Sequence, residues 1–164
     1  MGVRVIGDLS NLERKLRQLQ RPALQTTGRQ VGEALVSSTI RRFNEQRDPE
    51  GKPWQPLAAA TVLGGLSSKS YTKRGRLRKS AERKLQNRKI LIDSARLRNS
   101  ISSTARGSSV AVGTNVEHAR IHQFGGDAGR KTARVNVPAR PFLGVSADDR
   151  REIRRIVDDA IGGL

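Results

Sequence analysis

Apolar and polar positions recur along the chain with two periods: helical at both ends, strand-like in the second half. Val3, Val5 and Ile6 predict a short strand at 3–6. Leu9, Leu12, Leu16 and Leu19 then follow at helical spacing behind an N-cap at Asp8 or Ser10. Pro22 breaks this helix and suits the first turn of a second one. The second helix carries Leu24, Gly28, Val31, Leu35 and Ser38 or Thr39 on one face, with Ile40 and Phe43 near its end at about 43–46. Its small residues Gly28, Gly32, Ala34 and Ser38 predict close packing against a sheet. Residues 48–57, rich in Pro and Gly, predict an ordered loop, and 58–63 a short helix. Residues 64–71 are Gly/Ser-rich, which predicts mobility. Residues 76–88 are helical only if packed, because their charge density favours disorder in isolation.

The pattern then changes. Ile90, Leu91 and Ile92 form an apolar run, after which Asp93 or Ser94 is expected to cap a short helix through Leu97 to about 100. Stretches 101–105 and 110–114 flank Arg106-Gly107-Ser108-Ser109 and read as a hairpin. Residues 116–123 predict a short helix or turn stopped by Gly125-Gly126. Residues 133–137 predict a strand with Val135 and Val137 on one face, and Pro138 and Pro141 bracket a rigid bend. Ser146 and Asp149 have capping-box spacing ahead of a stripe of Ile153, Ile156, Val157, Ala160 and Ile161, a last helix ended by Gly162-Gly163. The sum is an α+β fold: an antiparallel sheet of three to four strands packed by N-terminal helices and a C-terminal helix. The exposed edges of so small a sheet are expected to be blunted or paired with a neighbour.

Composition narrows this picture. A length of 164 residues fits one domain, 1–164. Leu, Ile, Val and Phe number 39, a share only a little above the roughly 20% at which disorder is expected, so the core must be lean. Absence of cysteine removes disulfides, thiol catalysis and Cys-type zinc sites and suits a reducing cytosol. No apolar run approaches 18 residues and the N-terminus lacks a signal-peptide core, so neither a membrane nor secretion is expected.

Charge is distributed unevenly. The net charge of +17 divides into +4 over 1–66, +10 over 67–99, +4 over 100–144 and −1 over 145–164. The dense part, 67–89, holds Lys69, Lys73, Arg74, Arg76, Arg78, Lys79, Arg83, Lys84, Arg88 and Lys89 against Glu82 alone. Such a block repels itself. It is either a solvated loop or an element that faces phosphate. One Tyr and no recognition motif accompany it, which predicts backbone rather than base contacts. Residues 64–89 thus read as a basic, mobile insertion.

Catalytic chemistry is thinly represented. His118 and His122 stand at i, i+4 beside Glu117, but the order is not His-Glu-x-x-His and no third ligand follows, so packing or capping histidines are expected. Ser94, Ser100 and Ser146 lie in no nucleophile motif. Asp93, Glu117 and Asp127 are the only acids between Arg83 and Val145, too few for a two-metal nuclease. The glycines at Gly113 and at Gly125-Gly126 suit turns rather than a phosphate cradle. No enzyme and no cofactor are expected.

The most specific signal is an ordered series: Phe43; Gly51-Lys52-Pro53-Trp54-Gln55-Pro56-Leu57; 90–101, from Ile90-Leu91-Ile92-Asp93 to Arg96-Leu97-Arg98-Asn99-Ser100-Ile101; Val112-Gly113-Thr114-Asn115; His118 through Gly126; and Val137-Pro138-Ala139-Arg140-Pro141-Phe142-Leu143-Gly144. This series resembles the phage virion morphogenesis family, the tail completion proteins of Mu-like and P2-like tailed phages, over roughly Phe43–Asp149. Two departures stand out: Ser94-Ala95 where Thr-Gly is usual, and His118 where Tyr is usual.

The resemblance implies a structural virion protein, not an enzyme. It completes the tail or joins tail to head, as a tail-terminator- or neck-like ring, commonly hexameric, around the DNA channel. Its implied location is the virion neck or the head-proximal tail end, after synthesis in the bacterial host cytoplasm. Implied partners are further copies of itself, other neck, connector or tail proteins, and packaged DNA bound without sequence preference. In a ring, Trp54 is either an interface anchor or a core residue closing the helix–sheet gap. Arg96 and Arg98 point in different directions, one toward Asp93 or Glu117. Phe124 marks a sharp turn and Phe142 is a core residue. Trp54, Arg96, His122, Phe124, Arg140 and Phe142 are the candidate interface residues. The alternative is a free nucleic-acid-binding protein of ribosomal or chromatin type, which explains the charge but not the motif series.

Overall fold

A computed structural model of the chain describes residues 21–64, 66–86, 88–130 and 133–162. The strand expected at 3–6 and the helix expected from Asp8 or Ser10 to Leu19 lie outside the described residues. The elements in order are α1 (Arg21–Glu45), α2 (Ala59–Gly64), a 3-10 turn (Ser68–Ser70), α3 (Lys79–Gln86) and α4 (Arg96–Asn99). The β1–β2 hairpin (Ser102–Arg106, Ser109–Gly113) follows, then α5 (Ala119–Phe124), the β3–β4 hairpin (Gly126–Arg130, Ala133–Val137) and α6 (Ala147–Gly162).

Helix α1 is the central strut; β1, β2 and α6 all pack on it. Its buried positions come in pairs spaced by four, seven and four residues, one or two helical turns: Thr27 and Gly28, Val31 and Gly32, Ser38 and Thr39, Arg42 and Phe43. This wide face includes polar groups, and its own backbone satisfies two of them: the hydroxyls of Thr27 and Thr39 donate to the carbonyls of Ala23 and Leu35, both at 2.8 Å. Close packing against the sheet follows from the missing side chain of Gly32. A Cβ there would lie 2.6 Å from Ser103 Oγ, so α1 and β1 approach to backbone distance. Val31, Ile153 and Ile156 fill the seam between α1 and α6. A second cluster of Phe43, Trp54, Leu97, Ile101, Val116, Ala119, Phe142 and Leu143 closes the other end.

Three expectations are corrected. Among the described residues the four strands do not form one sheet of three to four strands; they form two separate antiparallel hairpins. Residues 126–130 form a strand where the glycines had predicted only a stop, because pairing with β4 overrides the weak strand propensity of Gly-Asp-Ala-Gly-Arg. The N-cap of α4 is neither Asp93 nor Ser94 but Ala95, which has φ +56° and makes no side-chain cap. This left-handed position is where the family pattern has Gly, so the departure at 95 places a Cβ in a conformation that disfavours it.

The capping box ahead of α6 forms as expected: Asp149 N–H donates to Ser146 Oγ (3.1 Å) and the Asp149 carboxylate accepts from Ser146 N–H (2.7 Å). Residues 64–89 contain order: Tyr71 bridges Leu77, Arg78 N–H donates to the Ser70 carbonyl (2.9 Å), and α3 follows with Ala81 buried.

Candidate functional site

The motif residues converge on one structural hub. Trp54 is 4% exposed, meets Phe43 edge to face at 5.5 Å between centroids, and donates from Nε1 to the Pro141 carbonyl at 2.8 Å. Phe142 is fully buried, 5.2 Å from the Phe43 ring. Arg140, 4% exposed, donates to the carbonyls of Gln55 (2.9 Å) and Pro56 (3.1 Å), tying the 138–142 bend to the Trp54 loop. The Gln123 amide clamps the same bend: its oxygen accepts from the N–H groups of Phe142 and Leu143, both at 3.0 Å, and its nitrogen donates to the Leu143 carbonyl. Gly125 turns out of α5 with φ +72°, and a Cβ there would strike Ala139 N at 2.8 Å.

Arg42 completes the hub. Its guanidinium donates to the carbonyls of Phe142 (3.2 Å) and Gly144 (2.9 Å), to Ser38 Oγ (3.1 Å) and to the Asp149 carboxylate. Both charges of the pair are buried. Burial alone would raise the Asp149 carboxyl. The Ser38 hydroxyl, the Ser146 N–H and hydroxyl, and the Arg42 charge outweigh it and hold the group below the usual carboxylate range. Sequence reasoning missed Arg42 and Gln123. The available signal was a charged side chain four residues after Ser38 on the buried face of α1, which demands a partner.

Trp54, Arg140 and Phe142 are therefore buried inside the subunit. Trp54 takes the core position, closing the gap between α1 and the Pro-rich bend. Arg96 is exposed, and so is Phe124, at 63%. Neither Arg96 nor Arg98 takes the pairing with Asp93 or Glu117: Asp93 faces Arg88 (3.9 Å), and Arg98 donates toward Asn99 and Asn44. His122 is half-buried, its ring 5.7 Å from that of His118. Burial, then the neighbouring His118 and Arg140, lowers its pKa from the ordinary imidazole value. Among the described residues no group of three or more His, Cys, Asp or Glu is placed to hold a metal.

The basic stretch lies on the surface. Lys69, Lys73, Arg74, Arg76, Arg78, Lys79, Arg83 and Lys89 are exposed. Arg88 is half-buried and donates to the carbonyls of Thr61 (3.2 Å) and Val62 (3.3 Å), so it fastens the stretch to α2. Lys84 lies on α3. These eight exposed cations, spread over 69–89, can offset phosphate charge.

Comparison with known proteins agrees with the motif series. The model of the phage virion morphogenesis family matches residues 7–162. A protein named Mu-like prophage FluMu G protein 2, from Haemophilus influenzae, is 44% identical over 69 residues, which cover 42% of this chain and 49% of that protein. The chain thus spans about half the length of this relative. No solved structure matches the chain significantly. With its family match running over nearly all its length, through the loops that Trp54, Gln123 and Arg140 lock together, the chain belongs to the phage virion morphogenesis family.

Proposed function

We propose that this chain is a tail completion or neck protein, a single domain that assembles as a tail-terminator-like ring of copies around the DNA channel. Its place is the neck or the head-proximal end of the tail, beside other neck, connector or tail proteins. The observation that carries this reading is the division of labour within the subunit. Trp54, Gln123, Arg140 and Phe142 of the family's signature are spent on internal architecture, while most of the positive charge of 67–89 stands outward. That stretch faces packaged DNA and offsets phosphate charge without reading sequence. Its role is to hold, not to transform.

Electrostatics gives the ring a condition for assembly. A hexamer carries on the order of +100 charges, and self-repulsion opposes closure at low salt. DNA or an acidic partner ring relieves the repulsion, so the isolated protein is expected to be monomeric or heterogeneous and to assemble on the tail or neck.

The test replaces Lys69, Lys73, Arg74, Arg76, Arg78 and Lys79 with Gln. The fold should survive, because all six side chains are exposed, while DNA retention or head–tail joining falls. Unchanged infectious yield would contradict a DNA-facing role. The alternative of a free nucleic-acid-binding protein predicts tight DNA binding in solution and absence from particles.

A further inference from the structure

The basic stretch contains a built element as well as charge. Tyr71 bridges Leu77 in antiparallel register, flanked by two backbone bonds: Thr72 N–H donates to the Arg76 carbonyl (2.7 Å) and Arg78 N–H to the Ser70 carbonyl (2.9 Å). Lys73-Arg74-Gly75 makes the turn between them. Gly75 N–H donates to the Thr72 carbonyl (2.9 Å), and Gly75 takes φ +73°, a left-handed position. The Thr72 hydroxyl accepts from Arg76 N–H (3.1 Å), and Arg78 Nε donates to the Tyr71 carbonyl (3.1 Å). Residues 70–78 are thus a two-stranded ribbon closed on itself.

The ribbon is held at its root. It runs into α3, where Ala81 is buried and Leu85, one turn on, is half-buried. Beyond α3, Arg88 is bonded to the carbonyls of Thr61 and Val62. Lys73, Arg74, Arg76 and Arg78 are all exposed, and these nine residues contain no acid. Among the described residues none of the four cations pairs with a carboxylate. Four uncompensated cations in so short a segment call for a polyanion. Shape narrows the choice. Paired strands stand about 4.8 Å apart; with their side chains they fit a duplex major groove about 12 Å wide and are too broad for a minor groove of about 6 Å.

We infer that the 70–78 ribbon enters the major groove of duplex DNA and grips the phosphates that wall it. This inference rests on the DNA-facing reading of 67–89 and names the element and the groove that make the contact. The turn is closed before DNA arrives, so little ordering is lost on binding, and geometry adds to what charge alone supplies.

The test titrates the full chain with a fluorescent duplex of mixed sequence over a salt series. Thr72→Val combined with Gly75→Val removes the hydroxyl acceptor and strains the left-handed turn while leaving every charge in place. Both positions are exposed, so circular dichroism and melting temperature should stay unchanged. An open ribbon lowers the binding-competent fraction, and duplex affinity should fall about tenfold. Thr72→Ser combined with Gly75→Asn keeps the hydroxyl and tolerates the turn, and should restore binding. Methyl green, which occupies the major groove, should compete with the chain; netropsin, a minor-groove ligand, should not. Undiminished affinity in the valine pair, or competition by netropsin alone, overturns the ribbon contact. The DNA-facing reading then still stands if Gln at the six cations abolishes binding. Duplex binding that survives both sets of substitutions overturns both. So does a native chain that binds no duplex, which would leave an acidic protein as the partner of the stretch.

Discussion

Two buried charges, Arg42 and Asp149, join three parts of the chain that are distant in sequence: α1, the 142–144 loop and the start of α6. Asp149→Asn leaves the guanidinium buried without its counter-charge and should cost about 3–5 kcal/mol, read by urea denaturation. The pair also sets an acid limit. The folded Asp149 pKa is lowered, so the unfolded chain binds more protons below about pH 3.9. The contribution is complete above that value and lost as pH falls through the folded pKa. Melting temperature measured against pH should fall more steeply below about pH 4 in the native chain than in Asp149→Asn. His122 acts in a higher window with the same sign. Its lowered folded pKa makes stability complete above about pH 6.5 and progressively lost as pH drops toward that folded value. Ala95 offers the opposite opportunity. Relief of its left-handed strain by Ala95→Gly, less the entropy that glycine adds to the unfolded chain, should raise stability by about 0.5 kcal/mol.

At the scale of elements, α1 sets the geometry through Gly32. Gly32→Ala pushes a Cβ into Ser103, and either α1 or β1 must shift. The expected loss is about 1–3 kcal/mol, measured by thermal denaturation. Periodicity made α1, α6 and the β1–β2 hairpin legible in the sequence, because each has one clear apolar face or a turn signal of its own. The Ser146–Asp149 box was legible for the same reason: its partners are three residues apart. What escaped was long-range. Arg42 and Gln123 take partners from distant loops, and no local pattern specifies those carbonyls. Strand β3 escaped because Gly and Asp carry no strand preference of their own; register with β4 imposes it. The Pro-Trp loop was legible as ordered, but not as interior, since rigidity suits an interface and a core equally. Only the Nε1 bond to Pro141 and the contact with Phe43 decide it.

Over the whole molecule, the charge of +17 resolves into parts with different surroundings. Arg42 and Arg140 are spent inside, as donors to backbone carbonyls and to Asp149. Most cations of 67–89 stay outside, and the C-terminal helix balances five acids against four arginines. On the proposed reading, this molecule meets its own copies and a polyanion. Its DNA affinity should fall linearly with log salt, and each phosphate contact removed by neutralising the basic stretch should flatten that slope by about 0.9. Counting the copies of the chain per purified virion by quantitative mass spectrometry decides whether it is a ring-forming part of the particle. About six copies per virion, one closed ring, are expected; absence of the chain from infectious particles would contradict the ring.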